Sequence, residues 1–193
     1  MAGDAQATRD RLMKAAAQEF AEYGIAGGRV DRIARSARSN KAQIYHYFGS
    51  KEALFDALID SLVVRTTTEI AMDPLDLPGY AGRLFDGYED HPEVARLATW
   101  YRLERAERHD PIQSIVDSSR EKIAAIDQAQ RDGSVPDHFS ATDLLTLVLT
   151  LAGLWTAQTP EYHSLARKSS RAARRQLVTD AVKAVLNPPP DQQ

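Results

Sequence analysis

Apolar residues recur at helical spacing along nearly the whole chain, and no stretch of useful length alternates apolar with polar as a half-buried strand does. Leu12, Ala16, Phe20 and Tyr23 share one face of a helix over about 8–23, which Gly24 is placed to stop. Val30, Ile33, Ala34 and Ala37 follow i, i+3, i+4, i+7 and predict a short second helix. Arg38-Ser39 then reads as a turn. Asn40 is a good N-cap with Gln43 at N3, so a third helix is expected over Lys41 to Phe48, with Ile44 and Phe48 inward. Gly49-Ser50 ends it. Ser50 can cap a fourth helix from Lys51, whose stripe is Leu54, Phe55, Leu58, Ile59 and Leu62 and which is expected to reach about Met72.

The second half continues the pattern. Tyr80, Leu84, Phe85 and Tyr88 mark a helix over about 78–90, and Pro92 starts another with Val94, Leu97, Ala98 and Tyr101 inward. Asp110, Pro111 and Gln113 read as N-cap, N1 and N3 of a helix ended by Gly133. Ser140 and Asp143 open a helix that is apolar nearly all round from Leu144 to Trp155, so it needs cover on both sides. A short helical piece follows Thr159-Pro160. The last helix is expected over about 169–186, before Asn187-Pro-Pro-Pro. The expectation is an all-α fold of about nine helices. It divides into a helix-turn-helix domain over 1–50, a helical regulatory and dimerisation domain over 51–187, and a disordered tail over 188–193.

Charge sharpens this picture. Residues 1–51 hold nine Lys/Arg against five Asp/Glu, whereas the remainder holds fifteen against twenty-two. A basic head on an acidic body suits a head that meets nucleic acid and a body that stays off the phosphates. Cysteine is absent, which excludes disulfides, thiolate metal sites and a cysteine nucleophile. With no signal-like or membrane-spanning run, the cytoplasm is the expected compartment.

The third helix carries chemistry that suits the major groove, where base edges present a distinguishable pattern of donors and acceptors. Gln43 can pair with adenine, or its side chain can close its own capping box. Lys41 can donate to guanine or phosphate. Tyr45, His46 and Tyr47 can reach phosphates, sugars or a thymine methyl, although Tyr47 can equally pack beside Ile44. Arg38 adds a cation at the turn, and Asn40 and Ala42 complete the outer face. Lys51, at the start of the fourth helix, suits a phosphate. His46 lacks a second His or acid at ligand spacing, so no metal is expected. There is no Gly-rich phosphate loop and no nucleophile elbow, and His91, His109, His138 and His163 are scattered, so an enzyme is not the expected reading and no cofactor is implied. A helical protein-binding adaptor is the alternative to a DNA-binding protein.

Residues from about Thr8 to Leu62 resemble the DNA-binding domain of TetR-family transcriptional regulators. The family pattern has Ile-Ala, then Ala-Gly-Val-Ser-Lys-Gly-Thr-Leu-Tyr-x-Tyr/His-Phe, then Lys. Ile33-Ala34, Ala37, Lys41, Ile44, Tyr45, Tyr47, Phe48 and Lys51 match it. Arg38 stands at the family's turn glycine, Ser39 at its following apolar position and Gln43 at a usually small position. The resemblance implies a homodimer held by the helix from Ser140 and the last helix of each copy, two recognition helices on a palindromic operator, and a small effector in the C-terminal domain. Apolar candidates for that interface are Leu144, Leu147, Leu151, Leu154, Leu177, Ala181, Val182 and Val185. Candidates for lining an effector pocket are Phe85, Tyr88, Leu97, Trp100, Tyr101, Ile115, Ser119 and Trp155. The scarcity of charge among them points to an apolar or aromatic ligand. The basic cluster Arg167, Lys168, Arg171, Arg174 and Arg175 reads as a solvated face.

Overall fold

The computed structural model describes residues 2–105, 111–165 and 169–187. These form ten α-helices and no strand: α1 (Ala2–Gly27), α2 (Val30–Ser36), α3 (Lys41–Phe48), α4 (Lys51–Glu69), α5 (Leu77–Asp90), α6 (Pro92–Arg105), α7 (Gln113–Arg131), α8 (Ala141–Ala152), α9 (Pro160–Leu165) and α10 (Arg171–Leu186). Short 3₁₀ turns at Pro74–Asp76 and Leu154–Ala157 precede α5 and α9. The all-α expectation holds. The proposed N-cap at Asp110, the cations Arg167 and Lys168, His109 and the tail over 188–193 lie outside the described residues.

Local capping explains most boundaries. The side chains of Asn40, Ser140 and Ser170 each accept the N–H three residues on, starting α3, α8 and α10. Ser50 does the same for Ala53 at the head of α4. Other ends differ from the pattern. The α4 helix stops at Glu69, short of Met72. Beyond it Asp73 caps the 3₁₀ turn that opens with Pro74, and a residue before proline is driven out of helical geometry. The α7 helix begins at Gln113, two residues past Pro111. The α8 helix ends at Ala152 because Gly153 caps it, so the apolar run to Trp155 is an α-helix followed by a 3₁₀ turn.

The chain falls into two compact units, residues 1–65 with 92–115 and residues 66–91 with 116–193. Neither boundary follows the expected cut after residue 50. The first unit keeps most of α4, because Leu54, Phe55, Leu58 and Ile59 are needed to bury Leu12, Ala16, Phe20, Ile33 and Ile44. It also takes back α6, whose Leu97 is fully buried in that core. Phe20 meets Phe55 edge-to-face at 5.4 Å, an arrangement that adds about 1 kcal/mol beyond the buried area. Tyr23, expected inside, faces out, with the Arg32 guanidinium 4.1 Å above its ring.

In the second unit α5, α8 and α10 pack around Leu77, Tyr80, Phe85, Leu144, Val148, Val178 and Val182, joined by Ile126 and Ala129 of α7. Close approach of α5 and α10 depends on Gly82. A Cβ there would stand 3.1 Å from Thr179 and 2.9 Å from the Arg175 guanidinium. No described helix is long and apolar enough to cross a membrane.

Candidate nucleic-acid interface

Helix α3 is held from behind. Ile44 is fully buried, and Tyr47 and Phe48 pack half-buried against the first unit's core. The geometry thus favours the packing role for Tyr47. Its ring also meets His46 edge-to-face at 5.3 Å, and Arg9 sits 5.4 Å over the Phe48 ring. This anchoring turns Lys41, Ala42, Tyr45 and His46 to the exposed side, with Tyr45 at 49% exposure. Gln43 is half-buried at the edge of that face. Its backbone N–H goes to the Asn40 side chain at 3.0 Å, but among the described residues no protein group bonds its amide, so only half of the capping box forms and the amide is available. Lys41 pairs with Asp31 of α2 at 2.5 Å while staying 54% exposed.

The turn keeps a glycine-like shape without a glycine. Arg38 has φ 51°, and among the described residues no other non-glycine has positive φ. The Ser39 N–H reaches back to the Ala34 carbonyl at 2.9 Å, the six-to-one bond of a Schellman ending. The turn therefore retains a left-handed residue, and Arg38 occupies it at a cost of about 1 kcal/mol.

Lys51 is placed differently from a free phosphate clamp. Its Nζ donates to the Gly28 carbonyl at 3.3 Å and to the Ala26 carbonyl at 3.5 Å, tying α4 to the α1–α2 connection. Only its remaining hydrogen-bonding capacity is left for a ligand.

Cations are used unlike one another in the two units. In the second unit Arg171 pairs with Asp90 at 2.6 Å and Asp86, Arg174 with Glu89, and Arg175 with Asp86 at 2.7 Å, which locks α10 onto α5. Arg171, Arg174 and Arg175 are thus bound to acids, which corrects the reading of a merely solvated face. Hydrogen bonding to Arg171 holds the Asp90 carboxyl below the usual carboxylate range. In the head, by contrast, Glu19 takes Arg32, and Arg11, Lys14, Arg29, Arg35 and Arg38 have no carboxylate partner among the described residues. Sequence reasoning missed Arg11 and Lys14, because only the fold brings α1 alongside the Arg38 turn.

The candidate pocket residues divide four and four. Leu97, Trp100, Tyr101 and Ile115 belong to the first unit. Leu97 and Tyr101 sit in or against its core, and Trp100 covers Gly24 so closely that a Cβ there would stand 2.8 Å from the ring. Phe85, Tyr88, Ser119 and Trp155 belong to the second. Phe85 is buried core. Trp155 is 9% exposed, and its Nε1–H is buried without an acceptor among the described residues. No cluster of His, Cys, Asp or Glu suited to a metal occurs among the described residues.

Of the interface candidates, Leu144 and Val182 are 1% and 0% exposed inside the second unit's own core, so a partner could not touch them. Leu177 is 50% exposed. Leu147, Leu151, Leu154, Ala181 and Val185 are half-buried, and Leu149, not anticipated, is 39% exposed.

Comparison with known proteins gives the same assignment along both halves. Residues 12–58 match the family described as bacterial regulatory proteins, tetR family, and residues 76–183 match the tetracyclin repressor-like C-terminal domain. The chain is 37% identical over 161 residues to the HTH-type transcriptional repressor SCO4008 of Streptomyces coelicolor, covering 83% of each. It is 30% identical to the HTH-type transcriptional repressor NicS of Pseudomonas putida, over 78% of this chain and 76% of that protein. The crystal structure of the transcriptional regulator SCO4942 from Streptomyces coelicolor superposes with a TM-score of 0.83 at 39% identity, over 94% of this chain and 99% of that one. With α3 anchored, head cations that have no carboxylate partner among the described residues, and both halves matched, the chain belongs to the TetR family of DNA-binding transcriptional regulators.

Proposed function

We propose that this regulator is a homodimeric repressor whose two α3 helices read the half-sites of a palindromic operator and which a small apolar or aromatic molecule releases. The observation that carries the DNA-reading part is the α3 face, where Lys41, Gln43, Tyr45 and His46 stand outward from a helix clamped by buried Ile44. Two related proteins bear the word repressor in their names, which favours repression. One eight-residue reading helix makes too few contacts to be selective, so pairing is required. Leu147 and Leu151, one turn apart on α8, and the exposed Leu177 of α10 are the residues proposed to form it. For the effector, Tyr88, Ser119 and Trp155 in the second unit are the residues proposed to make contact. The Trp155 Nε1–H, without an acceptor among the described residues, suits a hydrogen-bond acceptor on an otherwise apolar ligand.

Selection from random duplexes, followed by affinity measurement across a salt series, tests the DNA reading. The expected outcome is an inverted repeat bound with an affinity that falls steeply as salt rises. No binding even at low salt would overturn it in favour of a protein-binding adaptor.

A further inference from the structure

An open cleft of about 260 Å³ lies beside the helix-turn-helix, lined by Arg11, Lys14 and Gln18 of α1 and by Ser36, Ala37 and Arg38 at the end of α2. We propose that this cleft seats a backbone phosphate of the operator, flanking the base pairs that α3 reads; the proposal rests on the DNA-reading role of α3.

Three cations converge on this cleft, and no carboxylate lines it. Among the described residues, the nearest acids in sequence on α1 make no ion pair with these cations. Asp10 accepts from Gln6 at 2.8 Å, and Glu19 takes the Arg32 guanidinium and the Arg29 N–H. Gathering like charges without acids costs stability unless an anion neutralises them. The Arg11 guanidinium is also braced. Its Nε donates to the Ala37 carbonyl at 3.4 Å and one terminal nitrogen to Thr8 Oγ1 at 2.9 Å, leaving the other terminal nitrogen for an anion.

Arg38 adds an independent argument. Its φ of 51° is a conformation that glycine adopts freely and arginine does not. An arginine in this conformation, rather than a glycine, is consistent with a use for its side chain there. Two residues later Asn40 caps the N-terminus of α3, so a guanidinium at Arg38 borders the end of the helix that enters the groove. The anion expected beside a groove-reading helix is the phosphate of the strand bordering that groove. Such a contact positions the protein equally on all sequences and carries no base preference.

The test uses the full chain with Arg38→Gly and Lys14→Gln, measured on the selected operator and on an unrelated duplex from low to high salt, with thermal melting in parallel. Arg38→Gly is expected to melt higher than the parent, because glycine relieves the left-handed strain. It should nonetheless bind both duplexes roughly threefold to tenfold more weakly, and the slope of log affinity against log salt should fall in magnitude by about one. Lys14→Gln, at an exposed position, should show the same uniform loss without a change in melting. Unchanged affinity and salt slope in both variants, with a parent that binds steeply, overturns the cleft and leaves the reading of α3 intact. A change in base preference with Arg38→Gly also overturns it, since Arg38 would then read a base. A parent that binds no duplex overturns both proposals.

Discussion

Glu104 of α6 accepts the backbone N–H of Ile25 through Oε1 at 2.9 Å, and its second oxygen takes the Ala26 N–H at 3.0 Å. These two amides are orphaned because Gly24, at φ 69° and ψ −175°, breaks α1 one turn before its end. The carboxylate thus caps the restarted turn from seventy-nine residues away in sequence. Glu104→Ala is expected to cost about 1–3 kcal/mol, and Glu104→Gln less, because the amide keeps one acceptor oxygen. Thermal melting of both variants checks the order.

Substitutions at Gln43 and Lys51 test the proposed base reader against a residue that ties α4 to the α1–α2 connection. Gln43→Ala should leave the melting temperature unchanged and relax preference at one position per half-site. Lys51→Ala should weaken binding to all duplexes and also lower melting by roughly 2–4 °C, since the Gly28 and Ala26 carbonyls lose their donor. Sequencing of selected duplexes together with melting curves distinguishes the two. An unaltered preference profile for Gln43→Ala would remove Gln43 from the readers.

Leu177 tests the pairing surface. It is 50% exposed on α10, so Leu177→Glu should barely perturb the fold of one copy. A glutamate buried between two apolar helix pairs is costly, so sedimentation should move from dimer to monomer and operator affinity should collapse. A variant that stayed dimeric would place the interface elsewhere.

Tyr80 carries an alkaline signature. Burial pushes its phenol from the usual 10.0 up to about 12. The unfolded chain releases that proton near pH 10 while the folded chain keeps it. The stabilisation is therefore fully present below pH 10 and is lost as pH rises through about 12. Denaturant midpoints between pH 9 and 12 should fall less in Tyr80→Phe than in the parent, by on the order of 2 kcal/mol.

Much of the candidate site is legible along the chain because its determinants are local. The turn, the Asn40 cap and the inward Ile44 follow from spacing and short-range hydrogen bonding over a dozen residues. The departure at Arg38 is likewise visible in one position, and the structure shows that the turn keeps its left-handed residue. Tyr23 misled, and the bonds of Lys51 to two carbonyls went unforeseen, because a helix face defines which residues share a side, not what stands opposite. Arg32 came to cover Tyr23, and two carbonyls came to receive Lys51.

By itself, then, the sequence determined an all-helical chain with a basic helix-turn-helix head, since helical periodicity, caps and charge are properties of neighbouring residues. Only tertiary packing decided that α6 joins the head through Leu97 and Glu104, that Arg171, Arg174 and Arg175 are consumed by acids of α5, and that Leu144 and Val182 are core. It also set Arg11 and Lys14 beside Arg38. The physical reason is common to all four. Burial and ion pairing depend on which surfaces meet in space, and residues far apart along the chain specify those meetings jointly.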